Sequence, residues 1–157
     1  MKKRLGIYIH IPFCASKCSY CDFYSLQGCD YIMPDYQEAL LDHIDESSHS
    51  IKNYEVDSIY FGGGTPSYYG ADRIVEIFDT LKLNGNVRLD SEVTVECNPD
   101  SISLTALKLL RAEGVNRLSI GGSRPRRAGP EPSQAHRPPS QLPSGAEGLC
   151  RCAQGGV

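Results

Sequence analysis

The sequence has no apolar run near the roughly 20 residues that a membrane span requires. Its opening, Met1-Lys2-Lys3-Arg4, leads into a segment holding His10 and Pro12 rather than the unbroken apolar core of a secretory signal. Charge excess is small, a formal net −3, so nothing in the balance marks a nucleic-acid-binding surface. No second C-x2-C pair stands at zinc-finger spacing, and the one glycine-rich run lacks the lysine of a phosphate-binding P-loop. No membrane span, export or nucleic-acid partner is therefore expected, and the reading places the chain in the cytoplasm. There, seven cysteines are better explained by metal binding or catalysis than by disulfides.

Two further scarcities divide the chain. All 13 Tyr and Phe residues lie at or before Phe78, and no lysine follows residue 121. Residues 1–121 carry 11 Lys+Arg against 17 Asp+Glu, whereas residues 122–157 carry 5 Arg, 2 Glu and 6 of the 10 prolines, so one set of folding constraints did not shape both parts. Residues 1–121 are read as one folded unit and residues 122–157 as a frameshifted or disordered tail. Among the degenerate codons for Glu147–Val157, a GC-rich choice shifted by one base can give a segment compatible with an amphipathic helix, which favours the frameshift. A natural Pro/Gly-rich tail is the alternative. On the frameshift reading Cys150, Cys152 and His136 have no role.

The cysteines of the first part are concentrated. Cys14, Cys18 and Cys21 form a C-x3-C-x2-C array within Tyr8–Ser25, directly after a strand-like run and with Tyr20 beside the last of them. Three thiolates in eight residues call for a metal or a cluster. A four-iron cube normally takes one cysteine per iron, so a loop with three leaves one iron open to another ligand. Structural zinc is the competing reading.

Strand and helix periods alternate along residues 5–120. Ile7, Ile9 and Ile11 recur at a spacing of two, against Tyr8 and His10 on the other face. Leu40, Leu41, Ile44 and Ile51 mark a helix over about Asp35–Lys52, whose His43 and His49 read as solvated. Val56–Phe61 is a strand running into Gly62-Gly63-Gly64-Thr65-Pro66-Ser67, and Ile74, Ile77, Phe78 and Leu81 follow at helical spacing. Glu92–Asn98 alternates again, Ser103 and Gly114 bracket a third helix, and Arg117–Ile120 begins a fourth strand. The alternation predicts a parallel sheet. Its polar faces, Tyr8/His10, Thr94/Glu96/Asn98 and Arg117/Ser119, suit a sheet curved around a ligand better than one covered on both sides. The glycine run lets backbone approach a ligand closely. Glu96 could accept hydrogen bonds from an ammonium or a ribose, or else form an ion pair with Arg117.

The cysteine spacing and its flanking aromatics resemble the radical S-adenosylmethionine (radical SAM) superfamily. In that superfamily the open iron of a [4Fe–4S] cluster chelates the methionine part of SAM, and one electron passed to the sulfonium releases a 5′-deoxyadenosyl radical. Tyr-Ile-His-Ile-Pro-Phe-Cys, Gly-Gly-Gly-Thr-Pro-Ser, Glu-Cys-Asn-Pro-Asp-Ser and Gly-Val-Asn-Arg-Leu-Ser-Ile-Gly together look like the oxygen-independent coproporphyrinogen III oxidase family. The resemblance covers residues 5–121. It implies the N-terminal part, about four βα units, of a radical SAM partial (β/α) barrel. It further implies that Cys14, Cys18 and Cys21 hold the cluster and that Tyr8, Tyr20, Gly63, Gly64, Thr65 and Glu96 lie around SAM. Asp22-Phe23 stands where coproporphyrinogen oxidases usually carry a further cysteine, which is more similar to the HemW branch of haem chaperones. Haem or a porphyrin is then the expected further ligand, and a flavodoxin or ferredoxin the expected electron donor. Two alternatives stay open: oxidative decarboxylation of coproporphyrinogen III, and an inactive fragment.

Overall fold

Four strands lie side by side in one sheet whose apolar face packs against the helices between them. The computed structural model describes residues 2–16 and 21–121. Cys18 and Tyr20, and the compositional break after Gly121 with its expected tail, lie outside them. Strand β1 (Lys3–Ile11) leads to helix α1 (Met33–Ile51), β2 (Tyr54–Gly63), a single turn α2 (Pro66–Tyr69), α3 (Ala71–Asn84), β3 (Val87–Cys97), α4 (Leu104–Ala112) and β4 (Arg117–Ile120). The sheet order is β1-β2-β3-β4, and every pairing is parallel. The architecture is α/β, as the alternating periods predict.

One face of the sheet makes the core. Ile9, Ile11, Ile59, Phe61, Val93, Val95 and Cys97 are buried against Ile44 of α1, Ile74, Ile77, Phe78 and Leu81 of α3, and Leu110 of α4. The opposite face is polar. Tyr8 pairs across β1 and β2 with Tyr60, Tyr60 across to Thr94, and Thr94 across to Arg117. Tyr8 is 56% exposed, as expected for the uncovered side of a one-sided sheet. Thr94 departs from the expected pattern, being buried although it lies on this face. The Arg117 guanidinium spans it, donating to the Thr94 hydroxyl and to Glu92 at 3.4 and 3.1 Å.

Several boundaries differ from those read in the sequence; β1 and β2 each begin two residues earlier, at Lys3 and Tyr54, and β2 runs on to Gly63. Strand β3 begins at Val87, five residues before Glu92, because Val87 pairs with Val56 before the register jumps to Ser58↔Glu92. Residues 88–91 loop out between these contacts, which hides the period of two. The loop is held by Arg88 bridging both carboxylate oxygens of Asp90 and by Ser91 donating to the Val56 carbonyl. Helix α1 starts at Met33 rather than Asp35, with Pro34 in its first turn, where a missing N–H leaves no bond unmade. Gly70, at φ +119, separates α2 from α3, so the helix after the glycine loop arrives in two pieces. Helix α4 has the expected ends: the Ser103 hydroxyl accepts from the Ala106 N–H, and Gly114 closes it at φ +110.

At the β4 edge the apolar face is open. Leu118 and Ile120 pair in register with buried Val95 and Cys97, yet are 38% and 60% exposed. Among the described residues no further strand follows β4 in the sheet.

Candidate functional site

The C-terminal ends of β1, β2 and β3 deliver three loops to one end of the sheet, where ligands gather in parallel α/β folds. After β1, Phe13 anchors the cysteine loop. It is fully buried, stacked on Tyr69 at 5.3 Å between ring centres and edge-on to Tyr36 at the same distance. The Tyr36 hydroxyl donates to the His10 carbonyl. The Tyr69 hydroxyl donates to Gln37 Oε1 at 2.6 Å, so this aromatic cluster has its polar atoms satisfied.

Main-chain hydrogen bonds clasp the loop at its base. The Cys14 N–H donates to the Leu26 carbonyl at 3.0 Å and the Leu26 N–H to the Pro12 carbonyl at 2.6 Å. On the other side the glycine loop closes in. The Gly64 N–H donates to the Ile11 carbonyl at 2.7 Å and the Thr65 N–H to the Phe13 carbonyl at 2.8 Å. Pro12-Phe13-Cys14 is thus held between Leu26 and Gly64-Thr65. A Cβ on Gly64 would fall 2.7–2.8 Å from the Ile11 and Phe13 carbonyl oxygens and the Pro12 carbonyl carbon, which only glycine avoids.

Glu96 completes the arrangement. Its carboxylate accepts from the Tyr60 hydroxyl at 2.7 Å and from the Gly63 N–H at 3.1 Å. The alternative reading, an ion pair of Glu96 with Arg117, does not hold: the Glu96 carboxylate is taken up by Tyr60 and Gly63, and Arg117 pairs with Glu92 at 3.1 Å. The Glu96 bond raises the pKa of Tyr60, an effect that Ser119 partly opposes. The Tyr8 phenol is also raised, first by desolvation and then by the Glu96 charge. Both hydroxyls therefore keep their protons near neutrality: that of Tyr60 is given to Glu96, and its oxygen can still accept from a ligand.

Of the residues singled out in the sequence, the structure brings Cys14, Gly63, Gly64, Thr65, Glu96 and Tyr8 to this end and this face. Cys14 is buried and Cys21 half-buried, and neither is in a disulfide. Cys14 Sγ lies 3.4 Å from Thr65 Oγ1. Among the described residues no three His, Cys, Asp or Glu side chains converge on one point; Cys18 lies outside these. Two unbridged thiols on a clasped loop fit a cysteine-held cluster.

Several contributors carried no role in the sequence reading. His10 packs against Gly63, where a Cβ would lie 2.5 Å from the imidazole, and it bridges the Tyr8 hydroxyl at 3.1 Å and the Tyr24 carbonyl at 3.3 Å. Tyr60 follows from the same alternation that exposes Tyr8, two residues before Gly62. Ser67 has no such pattern: its hydroxyl accepts from the Asn98 N–H at 2.9 Å and contacts Ser101, tying the second loop to the third.

A one-sided parallel sheet with a cysteine loop after its first strand, a glycine loop after its second and a carboxylate on its third defines a cofactor-binding α/β protein of the radical SAM kind. The chain belongs to the Radical SAM superfamily, whose family model matches residues 8–124. Relatives within it include haem chaperones and oxygen-independent coproporphyrinogen III oxidases. The chain is 36% identical to the haem chaperone HemW of Buchnera aphidicola subsp. Schizaphis graminum, over 74% of this chain and 31% of that protein. It is 33% identical to the oxygen-independent coproporphyrinogen III oxidase of Salmonella typhimurium, over 76% of this chain and 26% of that one. The solved coproporphyrinogen III oxidase HemN of Escherichia coli, described as a radical SAM enzyme, superposes with a TM-score of 0.71 at 32% identity. That match covers 77% of this chain and 28% of that one. The chain spans less than a third of the length of the relatives cited here.

Proposed function

We propose that residues 1–121 form the N-terminal part of a radical SAM core that holds a [4Fe–4S] cluster through Cys14, Cys18 and Cys21 and receives SAM against Tyr8, Tyr20, Gly63, Gly64, Thr65 and Glu96. The observation that carries this reading is the clasp around Cys14, made by the glycine loop on one side and Leu26 on the other, with the Glu96 carboxylate fixed at the same end of the sheet. When bound, the cluster supplies the electron that cleaves the sulfonium of SAM. This chain's residues orient the two. The Gly64–Thr65 backbone holds the cysteine loop in place, Glu96 accepts hydrogen bonds from ligand donors, and the Tyr8 and Tyr60 phenols remain protonated beside it.

The physiological role is that of a cytoplasmic haem chaperone of the HemW type, drawing electrons from a flavodoxin or ferredoxin. Asp22-Phe23 after the third cysteine favours this over coproporphyrinogen oxidation. The resemblance to the solved oxidase supports coproporphyrinogen III decarboxylation as the second reading. On composition, residues 122–157 are a frameshifted segment, and sequencing the coding DNA across codons 115–130 tests that point. A third reading is that this chain has no activity of its own, in which case it neither binds haem nor turns over the porphyrinogen.

The deciding experiment reconstitutes the chain anaerobically with iron and sulfide, adds haem or coproporphyrinogen III separately, and compares Cys14→Ala, Cys18→Ala and Cys21→Ala. Cluster absorbance that each substitution abolishes, with haem binding and no porphyrinogen turnover, is the expected result. Absorbance that survives any one of the three refutes the ligand set.

A further inference from the structure

Thr65 stands at the N-cap position of α2, where a threonine hydroxyl ordinarily accepts from a backbone N–H two or three residues further on. Here the hydroxyl caps nothing. Its carbonyl takes the turn's bonds instead, accepting from the Tyr68 and Tyr69 N–H groups at 2.9 and 3.2 Å. The side chain turns to the cysteine loop, placing Oγ1 3.4 Å from Cys14 Sγ.

That placement is fixed by the main chain on both sides. The Thr65 N–H is bonded to the Phe13 carbonyl, one residue before Cys14, and Phe13 is locked in the aromatic cluster. Gly64 brings the two backbones together, since any Cβ there would collide with the Ile11–Phe13 main chain. A β-branched side chain also has few χ1 choices. The hydroxyl therefore reaches the sulfur with little freedom to lose.

We propose that Thr65 is a positioning residue whose hydroxyl donates a hydrogen bond to the Cys14 sulfur and thereby makes the cluster easier to reduce. This rests on the cluster assignment above. A thiolate bound to iron has no proton to give, so in the loaded protein the hydroxyl is the donor. Reduction adds one electron, supplied by an external one-electron donor, to the cluster and its sulfurs; no bond at Thr65 is made or broken. The bond strengthens as the sulfur gains charge, and hydrogen bonds to cluster sulfurs are among the determinants of potential. Removing the donor must lower the potential.

The test uses the full chain, reconstituted anaerobically without SAM, so that any contact of Thr65 with SAM plays no part. Redox titration with dithionite, followed by visible absorbance and by the spin signal of the reduced cluster, compares the wild type with Thr65→Val and Thr65→Ser. Thr65→Val is expected to shift the reduction equilibrium about tenfold toward the oxidised form, about 59 mV more negative for a one-electron couple. Thr65→Ser, which keeps the hydroxyl, is expected to stay near wild type. Equal potentials for wild type and Thr65→Val overturn the role of Thr65 while leaving the cluster reading standing. A wild-type chain that takes up no cluster overturns both. If Thr65→Val cannot load iron, loading by Thr65→Ser supports the hydroxyl, and loss in both variants counts against it.

Discussion

A methyl group on Gly64 probes the clasp directly. Its Cβ would sit 2.7–2.8 Å from three main-chain atoms of Ile11, Pro12 and Phe13, none of which can rotate away as a side-chain tip can. Gly64→Ala must therefore push the glycine loop off β1. The bonds from Gly64 to Ile11 and from Thr65 to Phe13 lengthen or break, at about 0.5–1.5 kcal/mol each. Overpacking adds about 1–3 kcal/mol. Partial relaxation trades one against the other, so the expected loss is about 2–4 kcal/mol. Gly28→Ala is the internal control: that glycine sits at φ +64 with nothing within 4 Å of an added Cβ, leaving only backbone strain of about 1 kcal/mol. Urea unfolding followed by far-ultraviolet circular dichroism compares the two. With a slope of about 2 kcal/mol per molar, Gly64→Ala should lower the midpoint by about 1–2 M and Gly28→Ala by about half a molar. A Gly64→Ala midpoint no lower than that of Gly28→Ala would refute the close approach and with it the placement of the glycine loop against the cysteine loop.

Other outcomes follow from the same contacts. Glu96→Gln removes the carboxylate that raises Tyr60, so the Tyr60 phenol should titrate at lower pH; a difference titration of phenolate absorbance against the Glu96→Gln/Tyr60→Phe double variant checks this. Tyr69→Phe leaves the buried Gln37 carbonyl without its 2.6 Å donor and should cost about 1–3 kcal/mol in urea unfolding. Burial, aided by the Glu96 charge, pushes the Cys97 thiol from 9.0 up to about 11. Because the folded state holds that proton more tightly, its contribution is full below the unfolded value and is lost as pH rises through about 11. At roughly 1.4 kcal/mol per unit the loss approaches roughly 2–3 kcal/mol. Urea midpoints on either side of this window should fall less with pH in Cys97→Ala than in the wild type.

Much of this protein could be read from residues close together in the chain. The period of two in Ile7–Ile11 and Val93–Cys97 and the helical spacing of Ile74–Leu81 report which face each segment buries, because a strand alternates and a helix repeats. Caps such as Ser103 and Gly114 act within one turn. The cysteine array sets three thiols within eight residues by spacing alone. The tertiary structure decided what depends on residues far apart: Thr65 over Cys14, Tyr60 and Gly63 on Glu96, Ser67 on Asn98, and Arg117 on Glu92 rather than Glu96. It also decided the register jump that hides the start of β3. Local sequence sets each element's period and ends. The register of neighbouring strands and the packing of the core set which side chains meet across them, so the site's partners emerge only when β1, β2 and β3 lie side by side.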